Sequence, residues 1–263
     1  MQSQPQSILI TGASSGIGEA LALHYAAPGV TLFLGGRNAE RLQGVARACE
    51  AKGANAVTWV GDVTDEAGIR QWIEDSDARV PLNLVVANAG VALGSTTVEG
   101  LHAAAVKSFE VNVNGVFNTV HPALEVMARR RPYPVAHAQI AIMSSIMGYA
   151  GVARSPAYAT SKATVKHSGE ALRGACRGMG IRVNVICPGY VASSMTAKNT
   201  SKMPFLLPAD KAAAIIAKGL AKDKPRITFP WQVVLIARLV INLPGALVDR
   251  INQPWGVPRL EDD

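Results

Sequence analysis

Short apolar segments alternate with longer helical segments along this chain, and no other sequence feature restricts the fold as strongly. The apolar segments predict β-strands at Ser7–Ile10, Val30–Leu34, Ala56–Val60, Leu82–Ala87, Gln139–Met143, Ile181–Cys187 and Arg226–Phe229. The intervening segments predict helices at Ile17–Ala27, Ala39–Lys52, Asp65–Asp77, 101–131, Pro156–Gly178 and 208–222. Apolar strands that each lead into a helix are typical of a parallel sheet covered on both faces. We therefore predict an α/β fold with a doubly wound parallel sheet and helices on both faces.

Residues suited to ligand binding stand where the predicted strands end. They are Gly12, Arg37, Asp62, Asn88, Ser145 and Pro188. The carboxyl ends of parallel strands meet at one edge of the sheet, and open α/β sheets bind their ligands there. The sequence thus predicts one ligand site along this edge.

A glycine-rich loop, residues 11–18, joins the first predicted strand to the first predicted helix with the spacing G-x-x-x-G-x-G. Glycines let a pyrophosphate approach the backbone, and the amides at a helix N-terminus attract it. This predicts a nucleotide-binding loop formed by Gly12, Ser14, Ser15, Gly16, Ile17 and Gly18.

The same loop also contains the pattern G-x-S-x-G, which is typical of the nucleophile elbow of α/β-hydrolases. A serine hydrolase with Ser14 as nucleophile is therefore an alternative. Its position argues against it, because an elbow takes one oxyanion donor from the loop of an earlier strand and only one strand precedes Ser14.

The end of the second predicted strand bears on the choice of cofactor. An acidic residue there would accept a hydrogen bond from the ribose 2′-hydroxyl of NAD, but this chain has Gly36 and Arg37. A guanidinium suits a 2′-phosphate, which favours NADP(H). The alternative is that Arg37 only caps a surface helix.

Tyr158 and Lys162 are four residues apart, which places a phenol and an ammonium on one helix face. The cation is expected to lower the pKa of the phenol toward a value useful for proton transfer. Ser145, at the end of the preceding strand, could donate a hydrogen bond to a substrate oxygen. Asn112 lies in a V-N-V-N-G stretch that is unfavourable inside a helix, which indicates a functional or packing reason or a tolerated kink.

Taken together, these motifs resemble the short-chain dehydrogenase/reductase family. The motifs that carry the resemblance are the loop 11–18, Asp62-Val63, Asn88-Ala89-Gly90, Asn112, Ser145, Tyr158-x-x-x-Lys162 and Pro188-Gly189. They extend from residue 8 to about residue 195. The resemblance implies a Rossmann-type fold and hydride transfer between a nicotinamide and a carbonyl or alcohol carbon.

The resemblance also implies roles for individual residues. Tyr158 would be the general acid in reduction or the base in oxidation, and Lys162 would lower its pKa and hold the nicotinamide ribose. Ser145 would orient the substrate oxygen, and Asn112 would hold a water for proton relay. The implied cofactor contacts are Asp62 and Val63 at the adenine, Asn88 and Gly90 near its ribose, and Pro188, Gly189, Val191 and Ser193 at the nicotinamide.

Two positions depart from the family pattern. Ala87 replaces the first Asn of the family's Asn-Asn-Ala-Gly turn. Ser14 and Ser15 stand where many NADP-preferring members carry a basic residue, so the preference for NADP(H) rests mainly on Arg37 and Gly36, and NAD(H) is possible. The resemblance further implies a homodimer or homotetramer that pairs through the fourth and fifth helices.

Residues 191–208 follow the nicotinamide strand and should form the substrate loop, which is rich in Met, Phe and Leu. Met is adaptable and suits apolar, irregular ligands. We expect a hydrophobic small-molecule carbonyl or alcohol substrate, with a pocket formed by Met147, Tyr149, Val152 and Met195. Ordinary loop packing is the alternative reading of these residues.

The C-terminal region extends beyond the last predicted strand. We expect residues 1–230 to form the catalytic domain and 231–263 an apolar helical extension, with helices at Gln232–Leu243 and Ala246–Asn252. The extension would pack on the same domain or on a second subunit. Contact with a membrane surface is the alternative for so apolar a helix.

Composition excludes several other classes of protein. The chain is 49% hydrophobic and 17% charged, which excludes a disordered chain and a coiled coil. The net charge of +7 comes without interleaved basic and aromatic residues, so no nucleic-acid partner is expected.

Three scattered Cys and five His show no ligand spacing, so no metal is expected. No secretory signal is visible, and we expect a reducing, cytoplasmic location. A non-catalytic NADP(H)-binding or redox-sensing module remains an alternative, although such a module would not need the complete set of Ser145, Tyr158, Lys162 and Asn112.

Overall fold

All seven strands lie parallel in one sheet, in the order β3-β2-β1-β4-β5-β6-β7. The computed structural model describes residues 5–95, 97–130, 138–153, 155–198, 203–240 and 242–252, with only the backbone described at Lys198 and Arg238. The strands are β1 Ser7–Thr11, β2 Thr31–Gly36, β3 Asn55–Val60, β4 Leu84–Ala87, β5 Gln139–Met143, β6 Arg182–Pro188 and β7 Arg226–Phe229. This confirms the predicted doubly wound α/β fold.

Nine α-helices connect and flank the strands in the described part of the chain. They are α1 Gly16–Tyr25, α2 Ala39–Glu50, α3 Glu66–Arg79, α4 Val98–Phe109, α5 Gly115–Arg129, α6 Pro156–Cys176, α7 Ala209–Ala221, α8 Trp231–Val240 and α9 Gly245–Asn252. Their ends differ from the sequence prediction by a few residues, because capping contacts decide where each helix stops.

The sheet is buried on both sides by two separate apolar clusters. Alternate residues of the central strand β1 supply them: Ile8 and Ile10 enter the cluster beneath α1, α2 and α7, and Leu9 enters the cluster beneath α3, α5 and α6. Strand β1 pairs with β2 on one side and with β4 on the other. The order of strands therefore reverses at β1, and this reversal opens the crevice in which such sheets bind ligands.

The long predicted helix over residues 101–131 is interrupted in the structure. Helix α4 ends at Phe109, Glu110–Asn114 form one turn of π-helix, and α5 then begins at Gly115. The turn contains Asn112, where the sequence pattern indicated a poor helix interior. Single π-turns inside helices occur frequently at functional sites.

The described part of the C-terminal extension folds back onto the preceding part of the chain. Helix α8 packs against β7 and against the 3₁₀ turn Ile146–Tyr149. At the end of α9, the side chain of Asn252 accepts a hydrogen bond of 3.1 Å from the amide of Ala153 and lies 3.5 Å from the carbonyl oxygen of Gly151. Residues 253–263 of the predicted extension lie outside the described residues.

Candidate active site

The glycine-rich loop brings the backbone of β1, α1 and β4 into direct contact. Gly12 and Gly16 have φ angles of +66° and +61°, a backbone conformation that residues other than glycine rarely adopt. A Cβ at Gly12 would lie 2.9 Å from the Cα of Ala89, and a Cβ at Gly18 would overlap the carbonyl oxygen of Gly12. The loop therefore has space for glycine alone at these positions.

The N-terminus of α1 presents amides that no side chain caps. Ser15 is the N-cap residue and makes no side-chain capping hydrogen bond, so the first amides of α1, near Ile17, face out of the loop. Such a terminus attracts phosphate oxygens through its free N–H groups and its partial positive charge. Ser14 lies beside this terminus, with its Oγ 3.2 Å from where a Cβ on Gly36 would lie.

Hydrogen bonds made by Thr11 and Asn88 hold this loop against the end of β4. The Thr11 hydroxyl accepts hydrogen bonds from the amides of Asn88 and Ala89 at 3.0 and 3.1 Å. The Asn88 side chain in turn donates to the carbonyl oxygens of Thr11 and Gly12. Asn88 thus shapes the floor of the loop through its side chain.

At the ends of β2 and β3, Arg37 and Asp62 form an ion pair with 3.6 Å between guanidinium nitrogen and carboxylate oxygen. The Arg37 side chain is 63% exposed, so it is free to turn toward an anionic ligand. Partial burial acts to raise the pKa of Asp62, but hydrogen bonds from Thr64 and the charge of Arg37 lower it below its usual value. Next to this pair, Val63 is buried and packs against Gly115 at the start of α5.

Ser145 and Tyr158 come together across the crevice. Ser145 follows β5 and caps the 3₁₀ turn Ile146–Tyr149, where its Oγ accepts a hydrogen bond of 3.2 Å from the amide of Met147. Its side chain lies within reach of the phenol of Tyr158 on the first turn of α6. A hydroxyl and a phenol that lie this close can both reach one substrate oxygen.

Lys162 lies one turn beyond Tyr158 on α6 and is buried. Its ammonium donates a hydrogen bond of 3.0 Å to the carbonyl oxygen of Met143 and lies 5.9 Å from the centre of the Tyr158 ring. Burial lowers its pKa from 10.5 to about 8. A Cβ at Gly148 would come within 2.8 Å of the Lys162 backbone, so this glycine lets the turn that carries Ser145 rest directly on α6.

The pKa of Tyr158 differs from the sequence prediction. Desolvation raises it above 10.0, the hydrogen bond from Ser145 acts to lower it, and the nearby Tyr190 acts to raise it. The Lys162 ammonium is held at the Met143 carbonyl, so it does not reverse the effect of desolvation. The phenol is consequently protonated at neutral pH.

Asn112 joins the π-turn to the end of β4 and to α6. Its Oδ1 accepts from the amide of Val91 at 2.8 Å, and its Nδ2 donates to the Val91 carbonyl and to the Ser161 hydroxyl. Gly90 separates Asn112 from Lys162, since a Cβ added to Gly90 would lie 2.9 Å from Asn112 Oδ1 and 3.2 Å from Lys162 Nζ. The Asn112 side chain is thus engaged with protein groups, and the water-holding role implied by the family stays a prediction.

The segment after β6 closes over the glycine-rich loop. Pro188 ends β6, the amide of Gly189 donates to the Phe229 carbonyl at 2.7 Å, and Val191 bridges to Leu207. Ser193 lies against Gly16, since a Cβ added to Gly16 would lie 2.9 Å from the Cβ of Ser193. The segment after β6 and the glycine-rich loop are therefore in contact.

The four predicted pocket residues have different surroundings. Met147 is partly buried beside Ser145, Met195 is 42% exposed, and Val152 is partly exposed near the end of α9. Tyr149 differs, because its ring packs in a buried cluster with Val185 and Cys187. Tyr149 therefore lies in the protein interior rather than on an accessible pocket wall.

Sequence reasoning missed three residues that shape the site. Thr196 accepts from the amide of Ser193 at 2.9 Å and holds the substrate segment in a tight turn. Ser161 connects Asn112 to the Tyr158 carbonyl, and Gly148 admits the close packing described above. Ser161 stands inside the Tyr-x-x-x-Lys motif and could have been noticed, whereas no local signal marks Thr196 or Gly148.

Two other chemistries have no counterpart in the described part of the chain. No histidine there hydrogen-bonds to Ser14, as the hydrolase alternative requires. Within the same residues, no three His, Cys, Asp or Glu side chains come together as a metal site would require.

Comparison with known proteins agrees with this geometry. The sequence model of the short chain dehydrogenase family matches residues 6–204. An uncharacterized oxidoreductase of Myxococcus xanthus is 36% identical over 246 residues, covering 93% of this chain and 95% of its own. The 3-oxoacyl-acyl-carrier-protein reductase of Thermotoga maritima is 30% identical over 203 residues, covering 77% of this chain and 80% of its own.

Solved structures show the same fold. A short-chain dehydrogenase from Sphingobium yanoikuyae in complex with NADPH superposes with a TM-score of 0.74 over 91% of this chain and 97% of its own, at 21% identity. With the parallel sheet, the glycine-rich crevice and the matching sequence model, the chain belongs to the short-chain dehydrogenase/reductase family, whose members are oxidoreductases that bind a nicotinamide cofactor.

Proposed function

We propose that this chain is an NADPH-dependent reductase of apolar carbonyl compounds. The observation that carries the proposal is the meeting of Ser145, Tyr158 and Lys162 at the carboxyl edge of the sheet. A phenol that holds its proton can act as the general acid in reduction. The Thermotoga maritima relative is a 3-oxoacyl reductase, which supports a carbonyl substrate.

The residues present fit a dinucleotide. The uncapped N-terminus of α1 and the glycines at positions 12, 16 and 18 form a cradle for a pyrophosphate, and Arg37 offers an exposed guanidinium for a 2′-phosphate. NAD(H) is the alternative cofactor, because Asp62 competes for Arg37. When bound, the cofactor would supply the hydride.

The chain's own residues would handle the proton and the substrate oxygen. Ser145 would donate a hydrogen bond to the carbonyl oxygen, and Tyr158 would transfer its proton to that oxygen as negative charge develops there. Lys162, cationic below a pH of about 8, would stabilise the resulting phenolate. Met147, next to Ser145 in the chain, and the exposed Met195 on the segment after β6 favour an apolar substrate.

The direct test measures loss of NADPH absorbance with a panel of apolar ketones, aldehydes and diketones, with NADH in parallel. We expect turnover with NADPH, and a loss of about 10²- to 10⁴-fold in Tyr158→Phe with NADPH binding retained. Tyr25→Phe, which removes a buried phenol at the end of α1, is the matched control and should keep its activity. Unchanged turnover in Tyr158→Phe would refute the proposed proton donor.

Two other results would revise the proposal. Faster turnover with NADH than with NADPH would contradict the role given to Arg37. Tight NADPH binding without turnover of any substrate would favour the alternative of a non-catalytic NADP(H)-binding module. The homodimer or homotetramer implied by the family also remains a proposal; the apolar Val98 and Val106 are exposed on α4, where such pairing would bury them.

A further inference from the structure

Helix α8 presents apolar side chains to solvent. Trp231, Leu235, Ile236 and Leu239, which we call the α8 face, are 70%, 51%, 56% and 62% exposed. These four are the residues of α8 whose side chains the structure describes as exposed, and all of them are apolar. Scattered exposed apolar residues are ordinary, but four on one short helix form a patch.

The four side chains lie on one side of the helix. At 3.6 residues per turn they fall within an arc of roughly 140°. Val234 points to the opposite side and is buried against the protein. Because α8 is apolar on both its inner and its outer side, its sequence is typical of a helix that is covered on both.

The α8 face borders the active-site edge of the sheet. Pro230 directly precedes α8 and lies close to Gly189. A Cβ added to Gly189 would lie 2.9 Å from the Pro230 ring. Helix α8 also packs against the 3₁₀ turn Ile146–Tyr149, which follows Ser145. Whatever covers the α8 face would therefore lie next to the mouth of the site.

We propose that the α8 face docks on the surface of a lipid bilayer. Trp is favoured at membrane–water interfaces, and Trp231 is the most exposed of the large apolar side chains. With 10 residues, α8 is too short to span a bilayer, for which about 20 are needed, so it would lie in the plane of the interface. None of the described helices is long and apolar enough to cross a membrane.

Area and charge favour a bilayer over a second copy of the chain. From the exposed fractions, the α8 face offers roughly 400 Å² of apolar surface, about half of the ~800 Å² per partner that a stable protein interface buries. A bilayer needs no complementary shape and adds attraction for cationic proteins, and this chain has a net charge of +7.

The test is co-sedimentation of the full chain with vesicles of phosphatidylcholine, with and without phosphatidylglycerol. The variant Leu235→Gln/Leu239→Gln removes the centre of the α8 face while keeping good helix formers. We expect the wild-type chain to sediment with both kinds of vesicle, more strongly with the anionic one, and the variant to lose affinity at least about tenfold. Ile215→Gln, which replaces an exposed apolar residue on α7, should bind as the wild type does.

NADPH binding and sedimentation velocity, measured without vesicles, complete the test. Retained NADPH binding shows that each variant is folded, and the assay needs no turnover, so it is independent of the proposed reductase activity. A folded wild-type chain that stays in the supernatant with both vesicles, or a variant that sediments as well as the wild type, would refute the proposal. So would a variant that turns a dimer into a monomer, since a second copy would then cover the face.

Discussion

The cofactor edge and the C-terminal region are built in opposite ways. Along the cofactor edge, which we define as the carboxyl ends of β1 to β5, backbone meets backbone at glycines and the side chains of Thr11, Asn88 and Asn112 bond to neighbouring loops. In the C-terminal region, residues 231–252, large apolar side chains face solvent, and the side chain of Asn252 ties α9 to the loop between Ser145 and Tyr158. The family model ends at residue 204, before the C-terminal region begins.

The two regions differ because catalytic chemistry and the binding of an apolar partner make different demands on a protein structure. A hydride donor and a proton donor must be placed to within a fraction of an ångström, so their supports tolerate little change. A surface that admits an apolar molecule or a bilayer needs area and apolarity, which many sequences supply. The Myxococcus xanthus relative covers 93% of this chain, so it also aligns with part of the C-terminal region.

A single methyl group should damage the cofactor edge strongly. Gly18→Ala places a Cβ against the Gly12 carbonyl, so we expect a loss of about 1–3 kcal/mol in the free energy of unfolding and at least about tenfold weaker NADPH binding. Gly44→Ala, in the helix α2 with open space around it, should instead stabilise by about 0.5–1 kcal/mol. Chemical denaturation and NADPH titration measure both effects, and equal behaviour of the two variants would break the comparison.

The positive charge of Arg37, at the end of β2, should affect the affinity for one cofactor only. Arg37→Gln removes the proposed partner of the 2′-phosphate, so NADPH affinity should fall about 10- to 100-fold while NADH affinity stays the same. Arg41→Gln removes an exposed positive charge one turn further along α2 and should change neither. Equal losses for NADPH and NADH, measured by fluorescence titration, would show that Arg37 acts through the fold.

Burial of Lys162 should make stability depend on pH. Its pKa is about 8 in the folded chain and 10.5 when it is unperturbed, so between these values the unfolded state binds more protons. This residue's contribution to the free energy of unfolding is therefore lowest below pH 8 and rises toward pH 10.5. Relative to Lys162→Met, the free energy of unfolding of the wild-type chain should rise by on the order of 2 kcal/mol between pH 7 and pH 10.

Thermal unfolding of both proteins across this pH range measures the gain. A constant difference between the wild type and Lys162→Met would show that the lysine is not desolvated as the structure indicates. Such a result would remove one distinction between the two regions, because no buried charge at the cofactor edge would then lower the stability of the fold.

The smallest effect is expected at the contact between the two regions. Asn252→Ala removes the hydrogen bonds to Ala153 and Gly151, so the loop between Ser145 and Tyr158 should loosen, at a cost of about 1 kcal/mol or less. The apparent KM for the largest apolar substrates should rise a few-fold, with NADPH affinity unchanged. Asn252→Asp keeps the acceptor for the Ala153 amide and should remain close to wild type; a fall in NADPH affinity would contradict this prediction.

The sequence by itself determined the order of strands and helices, the glycine-rich loop and the candidate residues at the strand ends. These features are local, since apolar periodicity and the conformational freedom of Gly12 and Gly16 act over a few residues. The poor helix interior around Asn112 was also visible, and it corresponds to the π-turn Glu110–Asn114.

Tertiary structure alone decided how those residues act. Burial raised the pKa of Tyr158. The Lys162 ammonium found its partner at the Met143 carbonyl, nineteen positions earlier in the chain. Packing placed Tyr149 against Val185 and Cys187, and it left the apolar outer face of α8 in solvent. Burial and charge at a site depend on segments distant in sequence, and no pattern within one segment records them.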